Sequence, residues 1–425
     1  MIKYFVKNID FFLALATIIV LPMERIGSFD FAGFTIRLSQ IFVVALIFII
    51  SWRFLFLNKK IYIPKSLIFY LVFLLAGLIS LTVAQNLDRG IHVLAFSTFM
   101  FFVPFALVSA IDSKQKFNVA LAIFLGTTIL AAIFGFFQFS GDLLGLPQYL
   151  TGLSNRYTHN VFGLPRIQST FIEPLYFANF LIAPVLIFLS ASFFSDEKKN
   201  KTWFFIGFLT LLLSLLLTFS KGGIIATTIA LIVFLILRAK IVFHKKNYIL
   251  LLISLLVFFI SLFAVSKIGG YSWDKSYEKA YNIIFQGGSI KERQESYAVA
   301  IDAFRHNPWV GIGIGNFGPY FSGYPVNVPE AGWPIVNNQY LEILSEIGTI
   351  GFLAFLLFII SVFWQSIFSY IRSHDRWIKT LIFALSLSFF AILLQYATFS
   401  TIYIMHVWVI IGLILIAQRL SNNEK

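Results

Sequence analysis

The chain contains 425 residues, of which 59% are hydrophobic and only 12% are charged. A typical soluble domain is about 45–50% apolar and about 25% charged. This excess of apolar residues excludes a cytosolic enzyme, a secreted disulfide scaffold and a disordered chain, and it indicates an all-α polytopic membrane protein. The net charge of +13 points to membrane topology rather than to nucleic acid, and the absence of cysteine excludes thiol chemistry and Cys-ligated metals.

Apolar segments long enough to cross a bilayer, about 20 residues each, recur along the whole chain. The first follows Lys3 and Lys7 but lacks a small-residue cleavage site, so we expect it to remain as a span rather than to be removed as a signal peptide. Twelve spans are predicted in all, near residues 10–22, 38–57, 66–84, 91–110, 117–140, 174–194, 202–219, 222–241, 247–265, 339–367, 377–395 and 399–418.

The basic residues predict the orientation of these spans. Most lysines and arginines fall in the connections that share a side with the N-terminus, whereas the short connections on the other side hold few. Those few are Arg25, Arg37, Arg89, Arg156, Arg166 and Lys221. Positively charged loops face the cytoplasm, so both termini are predicted to be cytoplasmic.

Three parts follow from this topology. Residues 1–265 hold spans 1–9, with an outer loop at about 141–173; residues 266–338 form a long periplasmic or extracellular loop between spans 9 and 10; residues 339–425 hold spans 10–12 and a cytoplasmic tail. Long loops in compact proteins usually carry function, so the site is expected on the outer side.

Three candidate site residues precede the long loop. Arg89 lies on a short outer connection beside an aspartate, and a local ion pair is the alternative to substrate binding. Glu173 precedes Pro174 at a predicted helix start, where an acid favours the helix dipole; a general base is the sharper interpretation. Lys221 is followed by two glycines that allow a phosphate to approach the backbone, unless it is an interfacial lysine closing a helical hairpin.

The segment Ser289–His306 has the periodicity of an amphipathic helix. One face collects Ile290, Tyr297, Ala300, Ile301 and Phe304. Arg293 falls on this packing face, and its desolvation cost predicts an anionic partner, either a bound phosphate or diphosphate or a structural carboxylate; a snorkelling stem is a further alternative. Glu295 lies on another face, and Arg305 and Arg166 are weaker candidates.

The sequence GIGIGNF at residues 311–317 predicts a glycine-rich turn that re-enters the membrane surface. It does not follow a strand, which argues against a dinucleotide site. Aromatic residues of the same loop, Trp273, Trp309 and Trp333, can stack on sugars or form an interfacial belt.

A polar stripe enters the tenth span. Asn338, Glu342 and Glu346 follow at a spacing of four residues, after Asn337. Acidic residues within a span usually face a cavity or a partner. The alternatives are a cap supplied by Asn337 and ion pairs of both glutamates with interfacial basic residues.

The order of these motifs resembles the O-antigen ligase/polymerase superfamily of bacterial envelope polysaccharide synthesis. The resemblance rests on TFSKGG, on KERQESYAVAIDAFRHNPWVGIGIGNF and on NNQYLEILSEIGTIGFLAFLLF, and it covers roughly residues 168–180 and 216–360. It implies a GT-C-like glycosyltransferase of the bacterial inner membrane, without metal or cofactor, that inverts the anomeric carbon and takes its glycan from a polyprenyl-diphosphate carrier in the outer leaflet.

The resemblance also implies roles for individual residues. The loop arginine of the family corresponds to Arg293, its helix-end arginine to Lys221, and a basic residue between spans three and four to Arg89. Glu173 or Glu295 is the expected base. The remaining expected substrate-binding residues are Arg166, Arg305, Asn337, Asn338, Glu342, Trp309 and Trp333.

One departure from the family pattern bears on the reaction. Ligases open the tenth span with His-Asn, whereas this chain has Asn337-Asn338. We therefore expect a Wzy-like polymerase of lipid-linked repeat units, with an O-antigen ligase acting on lipid A-core as the alternative and a flippase of lipid-linked glycans as the third hypothesis. The expected partners are a polyprenyl-diphosphate-linked glycan, membrane lipid and a chain-length regulator (polysaccharide co-polymerase).

Overall fold

A computed structural model describes most of the chain. The described residues are 8–31, 34–58, 62–158, 161, 163–194, 198–242, 288–323, 333–400 and 402–422. The predicted span 247–265, Trp273 and the first part of the long loop lie outside the described residues.

Helices form nearly all of this structure. The first group is α1 (Ile9–Ile19), α2 (Leu38–Leu57), α3 (Lys65–Ser80), α4 (Leu87–Ala110), α5 (Lys114–Leu143), α6 (Gln148–Thr151) and α7 (Pro174–Phe194). The second group is α8 (Lys198–Leu217), α9 (Lys221–Leu237), α10 (Ala239–Val242), α11 (Gly288–His306), α12 (Phe317–Ser322), α13 (Gln339–Arg372), α14 (Arg376–Gln395) and α15 (Met405–Asn422). A short antiparallel hairpin, β1 (Phe29–Phe31) and β2 (Phe34–Ile36), lies between α1 and α2.

The helices agree with the predicted membrane spans. Within the described residues, nine helices are long and apolar enough to cross a membrane, and α1 and α9 are shorter apolar helices. Every predicted span except 247–265 coincides with one of these helices. The polytopic α-helical fold class is therefore confirmed, while the total of twelve spans and the extent of the long loop stay predictions.

The core of the bundle surrounds α7 and α15, whose side chains are almost all buried. α7 packs against α8 and α14, and α15 packs against α4. α2 lies at the periphery and exposes most of its apolar side chains. Lipid surrounds such helices as readily as protein does, so close packing and interhelical hydrogen bonds decide which faces meet.

The bundle has two contrasting ends. One end, the loop-rich end, carries most of the non-helical chain. Its described residues are 20–31, 34–37, 81–86, 144–158, 161, 163–173, 218–220, 307–323, 333–338, 396–400 and 402–404. At the opposite end the connections that the structure describes are short, and Lys114 pairs there with Asp375 to join two of them.

α13 is interrupted at Gly348, whose φ of +70° breaks the helix. The preceding loop supplies backbone partners at this break: the amides of Ile312 and Gly313 donate to the carbonyls of Ser345 and Glu346, each at 2.9 Å. Backbone N–H and C=O groups at membrane depth must find hydrogen-bond partners within the protein, and here the loop supplies the donors for the two carbonyls. The glycine motif of residues 311–317 is therefore built into the bundle.

Candidate functional site

Arg293 lies on the face of α11 that packs on the bundle, as its position in the predicted amphipathic helix requires. Its Nη1 donates a hydrogen bond of 2.8 Å to the carbonyl oxygen of Thr398. Of the alternatives for this arginine, a structural carboxylate is not its hydrogen-bond partner among the described residues, whereas a phosphate partner stays a prediction. Ala300 is buried as predicted, but the packing face differs at two positions: Ile301 is 40% exposed, and Ala303, which was not assigned to this face, is buried.

Lys221 begins α9, two residues after Phe219, whose φ is positive. A left-handed conformation is costly for a bulky residue and often marks a functional site. The two following glycines are required for packing, because a Cβ on Gly222 would clash with Thr398 and one on Gly223 would crowd Ala178. The glycine pair therefore brings the segment that holds Arg293 close to Lys221, in addition to any role near a phosphate.

Arg166 lies beside the start of α9. Its Nε donates to the carbonyl of Thr218 at 3.1 Å, and its guanidinium stacks over the Tyr157 ring at 5.8 Å. Burial lowers the pKa of Arg166, while Tyr157 and Glu173 oppose that shift. Arginine still remains protonated at neutral pH.

These three basic residues form one group at the loop-rich end. Lys221 lies within electrostatic reach of both Arg293 and Arg166. We call Arg166, Lys221 and Arg293 the cationic cluster. Glu173 is the acid near it, and α7 begins at Pro174 immediately afterwards, as predicted.

Arg89 occupies a different environment. Its Nε donates to the carbonyl of Gly315, and its guanidinium lies 5.5 Å from the Trp333 ring. The adjacent Asp88 pairs instead with His92, so the predicted ion pair of Arg89 with its neighbour is wrong. Arg89 fixes the glycine-rich loop against the start of α4.

Two buried glutamates of α13 lie within electrostatic reach of Arg89. The carboxylate of Glu346 accepts hydrogen bonds from the backbone amides of Gly315 and Phe317, at 2.7 and 2.9 Å. Its principal role is therefore to hold the glycine-rich loop. We call Arg89, Glu342 and Glu346 the Arg89 cluster.

Asn337 and Asn338, the two residues before α13, have different structural roles. Asn338 is the helix cap, since its Oδ1 accepts from the amides of Tyr340 and Leu341 at 3.0 and 3.1 Å. The expectation of a cap from Asn337 is wrong. Asn337 adopts a φ of +56° and accepts a hydrogen bond from the Tyr297 hydroxyl on its carbonyl.

Three predicted site residues are not gathered with the others. Glu295, Arg305 and Trp309 are all exposed on α11 or just after it. Glu295 therefore lies off the packing face that carries Arg293, whereas Glu173 lies near Arg166.

A buried chain of polar side chains supports this end and was not found from the sequence. His406 Nε2 lies 2.6 Å from Asn179 Oδ1, and Asn179 Nδ2 donates to Gln395 Oε1 at 2.7 Å. The backbone carbonyl of Gln395 in turn accepts from Thr398, the residue that holds Arg293. These residues lie on three different helices and the turn between two of them, so no local motif reveals them.

Glu24 lies beside this polar chain, after α1. Its carboxylate is 3.9 Å from His406 Nδ1 and accepts from the amide of Ile172. Burial raises the pKa of Glu24 from 4.5 to about 7, and the opposing effect of Arg37 is smaller. The sequence alone gave no signal for this acid.

The part of the chain that holds several of these residues is similar to known proteins. Residues 206–356, which include Lys221, Arg293 and Glu346, match the family described as O-antigen ligase. This match supports the resemblance to the O-antigen ligase/polymerase superfamily that the sequence motifs carry. A relative, the teichuronic acid biosynthesis protein TuaE of Bacillus subtilis (strain 168), is 24% identical over 374 residues, which cover 84% of this chain and 72% of the relative.

The apolar helices indicate a multi-pass membrane protein. The family match and the relative together support a polysaccharide polymerase or ligase type of function, similar to glycosyltransferases of polysaccharide biosynthesis. The matched region includes Lys221 and Arg293 of the cationic cluster and the loop held by Glu346, whereas Arg166 lies before it. The motifs quoted from the sequence therefore have distinct structural positions within one family domain.

Proposed function

We propose that this protein polymerises lipid-linked oligosaccharide repeat units. It would transfer a glycan from a polyprenyl-diphosphate carrier to a sugar hydroxyl of a second lipid-linked unit. The cationic cluster is the observation that carries this proposal. Its lysine lies within electrostatic reach of both arginines, at one end of a membrane bundle. A relative whose name refers to teichuronic acid biosynthesis supports a polysaccharide as product.

The leaving group explains why positive charge is needed. As the bond between the anomeric carbon and the diphosphate breaks, negative charge develops on the diphosphate oxygens. Cations already in place stabilise that charge without reorganisation, which is usually the largest catalytic contribution. Arg293 and Arg166 each keep N–H groups available for phosphate oxygens besides the one bound to a carbonyl, and lysine adds a compact positive charge.

Glu173 is the residue we assign as general base. It lies near Arg166, whereas Glu295 is exposed away from the packing face of α11. In the proposed step the acceptor oxygen bonds to the anomeric carbon, the carbon–diphosphate bond breaks with inversion, and the hydroxyl proton passes to the Glu173 carboxylate. The diphosphate-carrying lipid is then released.

The orientation completes the proposal. Basic residues concentrate in the connections of the opposite end, so the positive-inside rule places the loop-rich end outside the cytoplasm, where outer-leaflet carriers lie. Asn337-Asn338 favours a polymerase over a ligase, because an asparagine at 337 cannot replace histidine as a base and Asn338 is committed to capping α13.

The test uses purified full-length protein in liposomes with lipid-linked repeat units as the only substrate. We expect a ladder of products. Arg293→Ala should reduce the rate by about 10²–10³-fold, the usual cost of removing one donor that stabilises the transition state. Arg305→Ala is the matched control, since Arg305 lies on the same helix but is exposed, and it should retain the ladder.

Other outcomes have definite meanings. Product that forms only when a different lipid acceptor is added identifies a ligase. Translocation of lipid-linked glycan that survives Arg293→Ala, with no glycosidic bond formed, identifies a flippase. A full ladder from folded Arg293→Ala protein removes this arginine from the mechanism.

A further inference from the structure

A cavity lies at the opposite end of the bundle, between α9, α13 and α14. It has a volume of about 280 Å³, and its walls are mainly apolar, with Leu237, Phe363 and Phe383 among them. A second cavity of about 430 Å³ adjoins it and is lined by residues 236–240. Leu237 is 61% exposed and Ile367 is 55% exposed, so the mouth opens on the apolar perimeter that faces acyl chains in a membrane.

Arg238 lines both cavities. Its guanidinium lies 4.1 Å from the ring centroid of Phe383 and 5.1 Å from that of Phe194, and its Nη2 donates to the Tyr370 hydroxyl at 2.8 Å. Aromatic faces stabilise a cation but leave its N–H groups without acceptors. The buried Nε of Arg238 indeed has no hydrogen-bond partner among the described residues.

Ser386 adds a second polar atom at the same place. It lines the cavity with Arg238, and its buried Oγ also lacks a partner in the described structure. A buried polar group without a hydrogen-bond partner destabilises the protein. Two such groups in one apolar cavity fit a ligand with an anionic head and an apolar body.

Among the described residues, no ion pair joins Arg238 to an acidic side chain. The described aspartates at this end are each paired with another basic residue: Asp10 with Arg53, Asp112 with Lys116 and Asp375 with Lys114. Lys379, whose Nζ lies 5.8 Å from the Tyr370 ring, adds further positive charge beside the cavity. The site is complementary to a negative group.

We propose that this cavity binds an anionic phospholipid. Its phosphate would contact Arg238 and Ser386, and one acyl chain would follow the wall formed by Leu237, Phe363 and Ile367. Basic pockets between membrane helices on the cytoplasmic side are suited to such head groups. This site is remote from the cationic cluster, so the inference stands whether or not the proposed reaction is correct.

The experiment measures binding of fluorescent phosphatidylglycerol to purified full-length protein, with unlabelled phosphatidylglycerol, phosphatidylcholine and inorganic phosphate as competitors. Phosphatidylglycerol alone should compete well. Arg238→Gln should weaken binding at least tenfold. Arg372→Gln is the matched control, because Arg372 lies at the same end but is exposed, and it should bind like the parent protein.

A second variant keeps the test decisive if Arg238→Gln does not fold. Ser386→Leu fills the cavity while leaving Arg238 in place, and it should also lose binding. Equal affinity of both variants and the parent for phosphatidylglycerol would overturn the proposal. Equal competition by phosphatidylcholine would show an unselective lipid surface, and equal competition by inorganic phosphate would show a simple anion site; either result also overturns it.

Discussion

The cationic cluster and the Arg89 cluster lie at the same end of the molecule but have opposite charge balances. In the first, Lys221 lies within electrostatic reach of Arg166 and Arg293, and each arginine donates to a peptide carbonyl. In the second, one arginine lies between two buried carboxylates, and Glu346 is occupied by backbone amides. The first can receive an anion, whereas the second already contains its own.

This contrast shows that arginines with similar hydrogen bonds can have different roles. Arg89 lies on a short outer connection and Arg293 lies in the long outer loop, and both donate to a backbone carbonyl. Two buried carboxylates lie within electrostatic reach of Arg89, whereas a lysine lies within electrostatic reach of Arg293. Changes in the cationic cluster should therefore affect catalysis first, and changes around the Arg89 cluster should affect stability first.

The largest stability effect is expected at Gly348, beneath the Arg89 cluster. Its φ is +70°, and a Cβ there would clash with the carbonyl of Trp309. Gly348→Ala should cost roughly 3 kcal/mol or more through backbone strain and overpacking. Thermal unfolding in detergent measures this. Gly126→Ala is the control, since no atom lies within 4 Å of its Cβ position, and a similar loss there would remove the argument.

Glu346→Gln tests the structural role of the Arg89 cluster directly. The amide can accept one of the two backbone hydrogen bonds but lacks the charge, so stability should fall by about 1–3 kcal/mol. The melting temperature should drop while the rate per folded molecule stays near that of the parent. A large loss of rate in fully folded protein would instead place Glu346 in the reaction.

Glu24, which belongs to neither cluster, is a buried acid whose desolvation is only partly offset by a nearby arginine and a backbone amide. Its pKa rises from 4.5 to about 7 on folding, so the folded state binds the proton more tightly. The resulting stabilisation is fully present below pH 4.5 and is lost as pH rises through 7, by about 3 kcal/mol in total.

Glu24→Gln should therefore flatten the dependence of the melting temperature on pH between 5 and 8. The exposed Glu295→Gln is the control and should leave the parent profile unchanged. A parent protein that becomes more stable as pH rises across this interval would contradict the assignment. His406 and Arg37, which face Glu24, remain in place in both variants.

The smallest effect is expected for Lys221→Arg. The substitution preserves positive charge in the cationic cluster, and the side chain is exposed, so the rate should remain within about threefold of the parent. Lys221→Met removes the charge and should slow the ladder assay clearly. A folded but inactive Lys221→Arg protein would show that lysine does more than attract phosphate.

The sequence predicted the spans well because each depends on about 20 consecutive apolar residues, a local property. It also predicted the helix that carries Arg293 and the helix start at Pro174. The partners of these residues depend on contacts between distant segments, such as Arg293 with Thr398, and periodicity does not encode them.

Two alternatives proposed from the sequence, a structural carboxylate for Arg293 and a neighbouring aspartate for Arg89, relied on opposite charges because these are the simplest partners to propose. Backbone carbonyls accept from both arginines in the described structure. A phosphate partner for Arg293 stays a prediction. The polar chain of His406, Asn179 and Gln395 was missed because each of its side-chain hydrogen bonds joins residues that are more than 200 positions apart in the sequence.

The break in α13 also constrains how the protein reaches its native state. The carbonyls exposed at Gly348 are satisfied by residues 312–313, which are synthesised before α13. A helix with such a gap leaves polar backbone uncompensated in lipid until that earlier segment docks. Membrane insertion of α13 and docking of the glycine-rich loop are therefore expected to be one coupled step of biogenesis.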